Sequence, residues 1–362
     1  MPELPDVSVY IERMSALLTG RELKGFRCPS PFLVRTFDPP TRELVGKRVV
    51  GFRRLGKRIV WQFEGDLWLV LHLMIAGRLR WGPRGAPIQK KLGLAAFDFE
   101  HGTLTLTEAG TKKRASLHVV RGEEALRAHD RGGVEPLEIS LDQFREALTR
   151  ENRTLKRALT DPRIFSGIGN AYSDEILFHA QLSPVQRTGL LKPEQIEELY
   201  GAVRSTLELW TQRLRDEVGD GFPEKVTAFR KEMAVHGRYK EPCPVCGTAV
   251  QRIRHADNEV NYCPRCQTAG KLLADRSLSR LLKADWPRSI DELEDRQEEI
   301  AKQREPAPPK PPPPKPASPK TRARASSRTQ AAAGGSTKVP KKVAKKATTR
   351  PAKKAAQKPG PA

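Results

Sequence analysis

Four cysteines constrain the fold of this chain more tightly than any other residues. Cys243-Pro-Val-Cys246 and Cys263-Pro-Arg-Cys266 form two CxxC pairs separated by 16 residues. That spacing falls within the window of a four-cysteine zinc site, in which each CxxC turn offers two thiolates to one side of a tetrahedron. Gly247 follows the first pair and suits a tight turn. A redox dithiol is disfavoured, because no thioredoxin-like βαβ pattern surrounds the pairs. Four thiolates close the coordination shell, so the expected cofactor is one structural Zn2+. The segment between the pairs holds Arg252, Arg254 and His255, a basic hairpin suited to phosphate. The fifth cysteine, Cys28, stands alone.

Upstream, the hydrophobic pattern divides the chain. Val7, Ile11, Met14 and Leu17 or Leu18 repeat at helical spacing and stop near Gly20. From Lys47 to Val120, seven short apolar or alternating runs read as strands: 48–52, 58–63, 67–73, 79–81, 95–99, 104–107 and 116–120. Turn residues separate them, which predicts a β-sandwich or barrel. From Leu141 the period turns helical, over 141–150, 170–181 and 193–218, and 276–302 reads as a weaker, highly charged helix. The fold class is therefore α+β and multidomain. We expect a β-sandwich domain over 1–125, a helical domain over 126–235, a zinc finger over 236–270, a charged helical extension over 271–303 and a disordered basic tail over 304–362.

The 362 residues carry a net charge of +22 and a pI of about 10, which points to a polyanionic partner. From Ala301 onward there are 17 Lys and Arg against one acid, so the first 300 residues keep only +6. This Lys/Pro/Ala-rich tail has almost no large apolar residues to offset the entropy of folding. In composition it is similar to histone-like basic tails and would bind duplex nonspecifically through counterion release. No run of apolar residues is long enough for a membrane span. Acids at Glu3 and Asp6 and the lack of an apolar core argue against a secretory signal. The expectation is a monomeric, cytoplasmic or nucleoid-associated protein.

Two short stretches carry chemistry. Methionine before a small residue is normally removed, which would leave Pro2 as a free secondary amine beside the carboxylate of Glu3. Such an amine can attack an aldehydic carbon and form an iminium, an electron sink for elimination. Internally, Ser166-Gly167-Ile168-Gly169-Asn170 directly precedes a helical pattern. Backbone amides at a glycine-rich helix start can hold an anion, so with Lys156 this stretch reads as a phosphate clamp.

In order, MPELPDV, Lys57 in RRLGKRIVW, HLMIAGRLR, LKRALTDPRIFSGIGNAYSDEILF and the CxxC-x16-CxxC ribbon resemble the formamidopyrimidine-DNA glycosylase and endonuclease VIII family over about residues 1–270. The resemblance implies an N-terminal β-sandwich, a helix-two-turn-helix domain and a C-terminal zinc finger. It also implies a base-excision-repair enzyme, a bifunctional DNA glycosylase and abasic-site lyase acting on double-stranded damaged DNA. Pro2 would attack the sugar C1′, Glu3 would act as acid and base, and Lys57 would bind phosphate near the lesion. Lys156, Gly169 and Asn170 would contact the backbone around a flipped nucleotide.

Several positions depart from the family pattern. Asp6 stands where glutamate is common. Ile75, with Met74 before it, occupies the place of the wedging methionine. The void-filling Arg/Phe loop is replaced by Thr107-Glu108-Ala109-Gly110-Thr111-Lys112-Lys113-Arg114, which has no aromatic. The zinc-hairpin arginine is Asn258, leaving Arg252 or Arg254 as substitutes. The 218–235 segment, which caps the base in purine-selective members, is short. Two alternatives follow: a catalytically altered member that binds abasic or distorted DNA, and a structural nucleic-acid-binding protein.

Overall fold

A computed structural model of the chain describes residues 1–303, apart from 225, 228, 256, 257, 275–278 and 280. The basic tail lies outside the described residues, as do the side chains of His255 and Asn258. Helix α1 (Leu4–Leu18) begins three residues earlier than the periodicity from Val7 predicts. Pro5 sits in its first turn, where the missing N–H costs nothing. Asp6 closes the start by accepting the Glu3 amide at 3.0 Å. Val7, Tyr10, Met14 and Leu18 form its buried stripe.

The strands make two four-stranded antiparallel sheets. One runs β2 (Val49–Leu55), β3 (Arg58–Phe63), β4 (Leu67–His72) and β8 (Ser116–Arg121); the other runs β1 (Gly25–Arg27), β6 (Gly93–Phe99), β7 (Gly102–Glu108) and β5 (Gly77–Gly82). Trp61 and Phe63 of one sheet meet Phe97, Leu104 and Leu106 of the other in the core, with Trp61 and Phe97 ring centroids 4.9 Å apart. The sandwich expected from the seven runs is present. Strand β1 was not expected, because three residues are too short to show alternation.

The helical half contains α2 (Glu123–Arg127), α3 (Leu141–Thr149), α4 (Leu155–Thr160), α5 (Asn170–His179) and α6 (Pro193–Val218). Ser140 and Gln143 form a reciprocal cap on α3. Ile196, Leu199, Val203, Leu207 and Trp210 of α6 pack around α5 in the second core. Helix α5 is buried along its length, Asp174 and Glu175 included.

Beyond it lie β9 (Gln251–His255), β10 (Asn258–Tyr262) and α7 (Pro264–Thr268), the zinc-finger hairpin and second knuckle. The charged extension is not one helix from Arg276. Helix α8 spans only Ile290–Gln303, since Pro287 cannot donate the helical N–H and clashes with the preceding turn. This extension packs on the ribbon through a Lys271–Ser289 bridge and an Arg265–Asp291 ion pair at 2.6 Å. No helix among the described residues is long and apolar enough to cross a membrane.

Candidate active site

The first residues of the chain are pinned to the start of α5. Leu4 donates its amide to the Gly167 carbonyl at 3.0 Å. The Glu3 carboxylate accepts the amides of Gly169, Ala171 and Tyr172 at 2.7, 2.9 and 3.2 Å. Glu3 is only 2% exposed, so these bonds offset the cost of burying its charge. The anion expected at this glycine-rich helix start is thus Glu3 itself. This corrects the phosphate-clamp reading: these three amides are occupied by a side chain of the same protein.

Glycine is required here for space. A Cβ on Gly169 would collide with the Glu3 carboxylate and the Lys57 ammonium. Gly167 has φ +81°, and a Cβ there would press on Leu4 and Arg54.

Lys57 lies at the tip of the β2–β3 hairpin, where Leu55 pairs with Arg58. Gly56, with φ +62°, allows the two-residue turn. Arg54 braces the tip by donating to the Gly56 carbonyl at 2.9 Å and to Ser166 Oγ at 3.1 Å, and it pairs with Glu135. Burial lowers the Lys57 pKa, the Glu3 charge opposes that shift, and Lys156 adds to it. The terminal amine of Met1 is lowered chiefly by burial, with Arg78 and Lys57 acting in the same direction against Glu3 and Asp6.

Met1, Lys57 and Gly167 reach the floor of a cleft of about 850 Å³ also lined by His72 and Met74, with the buried Glu3 carboxylate behind them. Its walls are basic, with Arg58, Arg131, Arg153, Arg157 and Arg163 against Asp130 and Asp161. Burial, then Arg58, Lys57 and Arg131, push the His72 pKa down to about 4, so this ring is neutral at pH 7. Asp161 is held well below the usual carboxylate range, mainly by hydrogen bonds from Arg163.

Three family descriptions match in the order of these parts: the formamidopyrimidine-DNA glycosylase N-terminal domain over residues 1–120, its H2TH domain over 133–213, and a zinc finger found in FPG and IleRS over 240–269. A formamidopyrimidine-DNA glycosylase of Thermus thermophilus is 34% identical over 280 residues, covering 75% of this chain and all of the relative. This chain belongs to the formamidopyrimidine-DNA glycosylase family. A solved Lactococcus lactis Fpg in complex with abasic-site DNA superposes with a TM-score of 0.64 at 25% identity, over 74% of this chain and 99% of that one. A Mycobacterium tuberculosis protein described as an uncharacterized formamidopyrimidine-DNA glycosylase-like protein is 42% identical over 151 residues, 42% of this chain and 94% of its own length.

The cysteine ligand set of this glycosylase-family chain fits zinc. The four sulfurs lie within 4.8 Å of one another, with Cys246–Cys263 at 3.4 Å and Cys243–Cys266 at 3.9 Å. Sulfurs placed tetrahedrally about 2.3 Å from a zinc ion stand roughly 3.8 Å apart. Gly247, with φ +74°, returns its amide to the Cys243 carbonyl at 2.9 Å and forms the first knuckle.

Other expected site residues are placed less simply. Lys156 is 8% exposed and donates to the Asn170 carbonyl at 2.6 Å and Asp174 Oδ1 at 2.5 Å. It supports the helix start from within. Asn170 donates its side-chain amide to the Glu259 carbonyl at 2.8 Å, joining α5 to the zinc hairpin. Arg252 pairs with Glu259 at 2.9 Å and stacks on Tyr239 at 4.1 Å, so its guanidinium is already engaged. Arg254 is exposed, opposite Glu259 in the hairpin register. Met74 takes a left-handed φ of 53° in the turn between the two sheets, and Ile75 protrudes from that turn, 57% exposed.

Sequence reasoning missed the supporting carboxylates. Asp174 also receives His236 Nδ1 at 2.8 Å. Glu175 accepts the amides of Ala234, Val235 and His236 at 2.7 to 3.0 Å. The usable signal was an Asp-Glu pair in an otherwise apolar helix, since buried acids need partners.

Proposed function

We propose that the protein is a base-excision DNA glycosylase and abasic-site lyase whose nucleophile is the amine of Pro2, freed by removal of Met1. The observation that carries this reading is the Glu3–α5 clasp beside Lys57. It fixes the chain's first residues at the floor of a basic cleft, where a binding protein has no need to bury a carboxylate on three amides. The substrate is damaged double-stranded DNA, with the target nucleotide turned out of the stack.

The Pro2 nitrogen lone pair attacks C1′ as the C1′–base bond breaks, and the base leaves with that bonding pair and a proton. Ring opening gives a C1′ iminium. Loss of a C2′ proton then expels the 3′ phosphate and cuts the strand. Glu3, held rigidly, passes protons at the sugar. Lys57, half-buried at the cleft and without an ion pair among the described residues, takes a phosphate oxygen beside the lesion. Arg254 and Asn170 face the backbone from the hairpin and helix start, while Gly169 keeps the floor open and Ile75 with Met74 occupies the place of the lost base. Zinc holds the hairpin and takes no part in the chemistry.

The test uses duplex with a single abasic site. The proposal expects strand cleavage and a borohydride-trapped covalent adduct, both lost in Pro2→Gly. An intact strand without adduct, while the duplex is still bound, would support the second reading, a family member that binds distorted DNA without cutting it. The loop 107–114 favours that reading, because it offers Lys112 and Arg114 and no aromatic ring.

A further inference from the structure

Exposed apolar side chains are ordinary when they stand singly, but the segment after β1 presents two aromatic rings on a fixed backbone. Phe32 is 72% exposed and Phe37 is 97% exposed, the highest value of any large apolar residue described. Between them Leu33 is buried in the sandwich core, and Pro39 is buried just beyond. Val34 forms a parallel bridge with Leu117 at the outer edge of β8. The Leu33 carbonyl accepts the Leu117 amide, the Leu117 carbonyl accepts the Arg35 amide, and Thr36 Oγ1 accepts the Val119 amide, each at 2.8 Å. The segment is thus tied to the sheet edge while both rings stay in solvent.

This edge leads into the basic cleft. Leu117 points into the core, so its neighbours Ser116 and His118 point to the other face of the sheet, and both line the cleft. Arg35 follows the Val34–Leu117 pair by one residue and stands exposed on that face. Burial, then the charges of His129, Arg58 and Arg35, lower the His118 pKa. The His118 and His129 rings are 4.7 Å apart, and Arg58 and Arg131 continue the line toward Lys57. Against these cations stand Asp130 in the cleft and Asp38 beside Phe37. The Arg35 side chain has no hydrogen bond or ion pair among the described residues.

A paired duplex hides its base faces in the stack and offers such a surface only phosphates. An unpaired base has a free π face, and aromatic rings beside a basic track are what bind it, with little regard to sequence. We propose that Phe32, Arg35 and Phe37 form a stacking platform for unpaired bases of the DNA strand that leaves the cleft past His118, with Arg35 holding its phosphate. The platform rests on the glycosylase reading for the strand in the cleft, and it extends the substrate to damaged DNA that is locally unpaired beside the lesion. The run of cations from Lys57 to Arg35 favours a nucleic acid over an apolar protein segment as the occupant.

The experiment measures Kd for the full chain at one salt concentration, on two ligands of equal length carrying the same uncleavable abasic analogue, tetrahydrofuran. One is a complete duplex. In the other, about ten nucleotides on each side of the analogue are unpaired in both strands, so no polarity is assumed. The basic tail is present in every variant, and its contribution cancels between them. Phe37→Ala is expected to weaken binding of the bubble at least about fivefold, the loss of one stacked base, and to change duplex binding less than about twofold. Phe37→Trp is expected to keep wild-type affinity for the bubble, and Phe37→Leu, apolar but without a π face, to behave as Phe37→Ala. A smaller loss on the bubble, equal weakening of both ligands, or wild-type binding by Phe37→Leu overturns the proposal; the first of these leaves the rings to a protein partner. Cleavage of an ordinary abasic duplex by the same preparation reports on the glycosylase reading separately. A chain that does not cut but loses bubble affinity in Phe37→Ala keeps the platform, and one that cuts without that loss has none.

Discussion

The floor and the rim of the cleft are built to different standards. At the floor, Glu3 is held by three amides, Lys57 sits on a braced two-residue turn, and Gly167 and Gly169 leave no room for a side chain. At the rim, Ile75 projects into solvent, and Lys112 and Arg114 stand exposed on a loop tied down at Glu108, which accepts the Arg114 and Ala115 amides. The Glu3 carboxylate serves three amides, and a Cβ on Gly169 would meet both Glu3 and Lys57, so a change at either breaks more than one interaction. The rim residues touch little within the protein, and their identity can drift with the substrate. Of the positions that depart from the resembled pattern, Ile75 and the 107–114 loop lie at the rim and the 218–235 segment follows α6, while Asp6 departs within the clasp itself, where it accepts the Glu3 amide.

The sharpest way to break the floor is Gly169→Ala. The added methyl must displace Glu3 or Lys57, so abasic-site cleavage is expected to fall more than 100-fold, measured in single turnover. Unchanged cleavage would show that the clasp is not needed. Removing zinc, by chelation or by Cys263→Ser, comes next. The hairpin that Asn170 meets through Glu259 loses its metal-held knuckles, and DNA affinity in a gel-shift assay is expected to drop at least tenfold while the sandwich keeps its far-ultraviolet signal.

Glu175→Gln tests the second clasp. It weakens three charge-assisted bonds to the 234–236 segment, and a loss of about 1.5–3 kcal/mol is expected in denaturant unfolding. A loss below about 0.5 kcal/mol would mean the carboxylate is not organising that connection.

An effect of similar size, with a defined sign, comes from Asp6, whose pKa burial raises to about 6. The folded state therefore holds this proton more tightly than the unfolded chain, whose carboxyl titrates near about 3.9. Stability falls as pH rises through the window from about 4 to about 6. In Asp6→Asn that component is absent, so the variant gains about 2–3 kcal/mol relative to wild type between pH 4 and pH 7. The smallest expected change is at the rim: Ile75→Ala is expected to alter stability by less than about 0.5 kcal/mol while slowing excision of a base from duplex. Equal losses in stability and excision would erase the distinction between rim and floor.

Much of the fold was legible in the sequence, because its elements follow period and spacing. The strand runs, the Pro193–Val218 stripe and the cysteine pairs each carry their own pattern. What was not legible depended on partners far apart in the chain. The glycine-rich helix start predicted an anion, yet nothing local indicates that the anion is Glu3, 166 residues upstream of Gly169. Lys156 reads as part of a phosphate clamp until Asp174 is seen beside it. The extension after the ribbon looked continuous in charge pattern, and Pro287 divided it. In the site, residue identities were readable, but which groups they would already satisfy required the tertiary structure.

The most direct measurement maps the trapped adduct. After borohydride reduction with abasic DNA, nuclease and tryptic digestion, mass spectrometry should place the sugar remnant on the peptide running from Pro2 to Arg13, at its amino terminus. A remnant on the peptide containing Lys57, or a trapped species that still carries Met1, would contradict Pro2 as the nucleophile and with it the meaning given to the clasp.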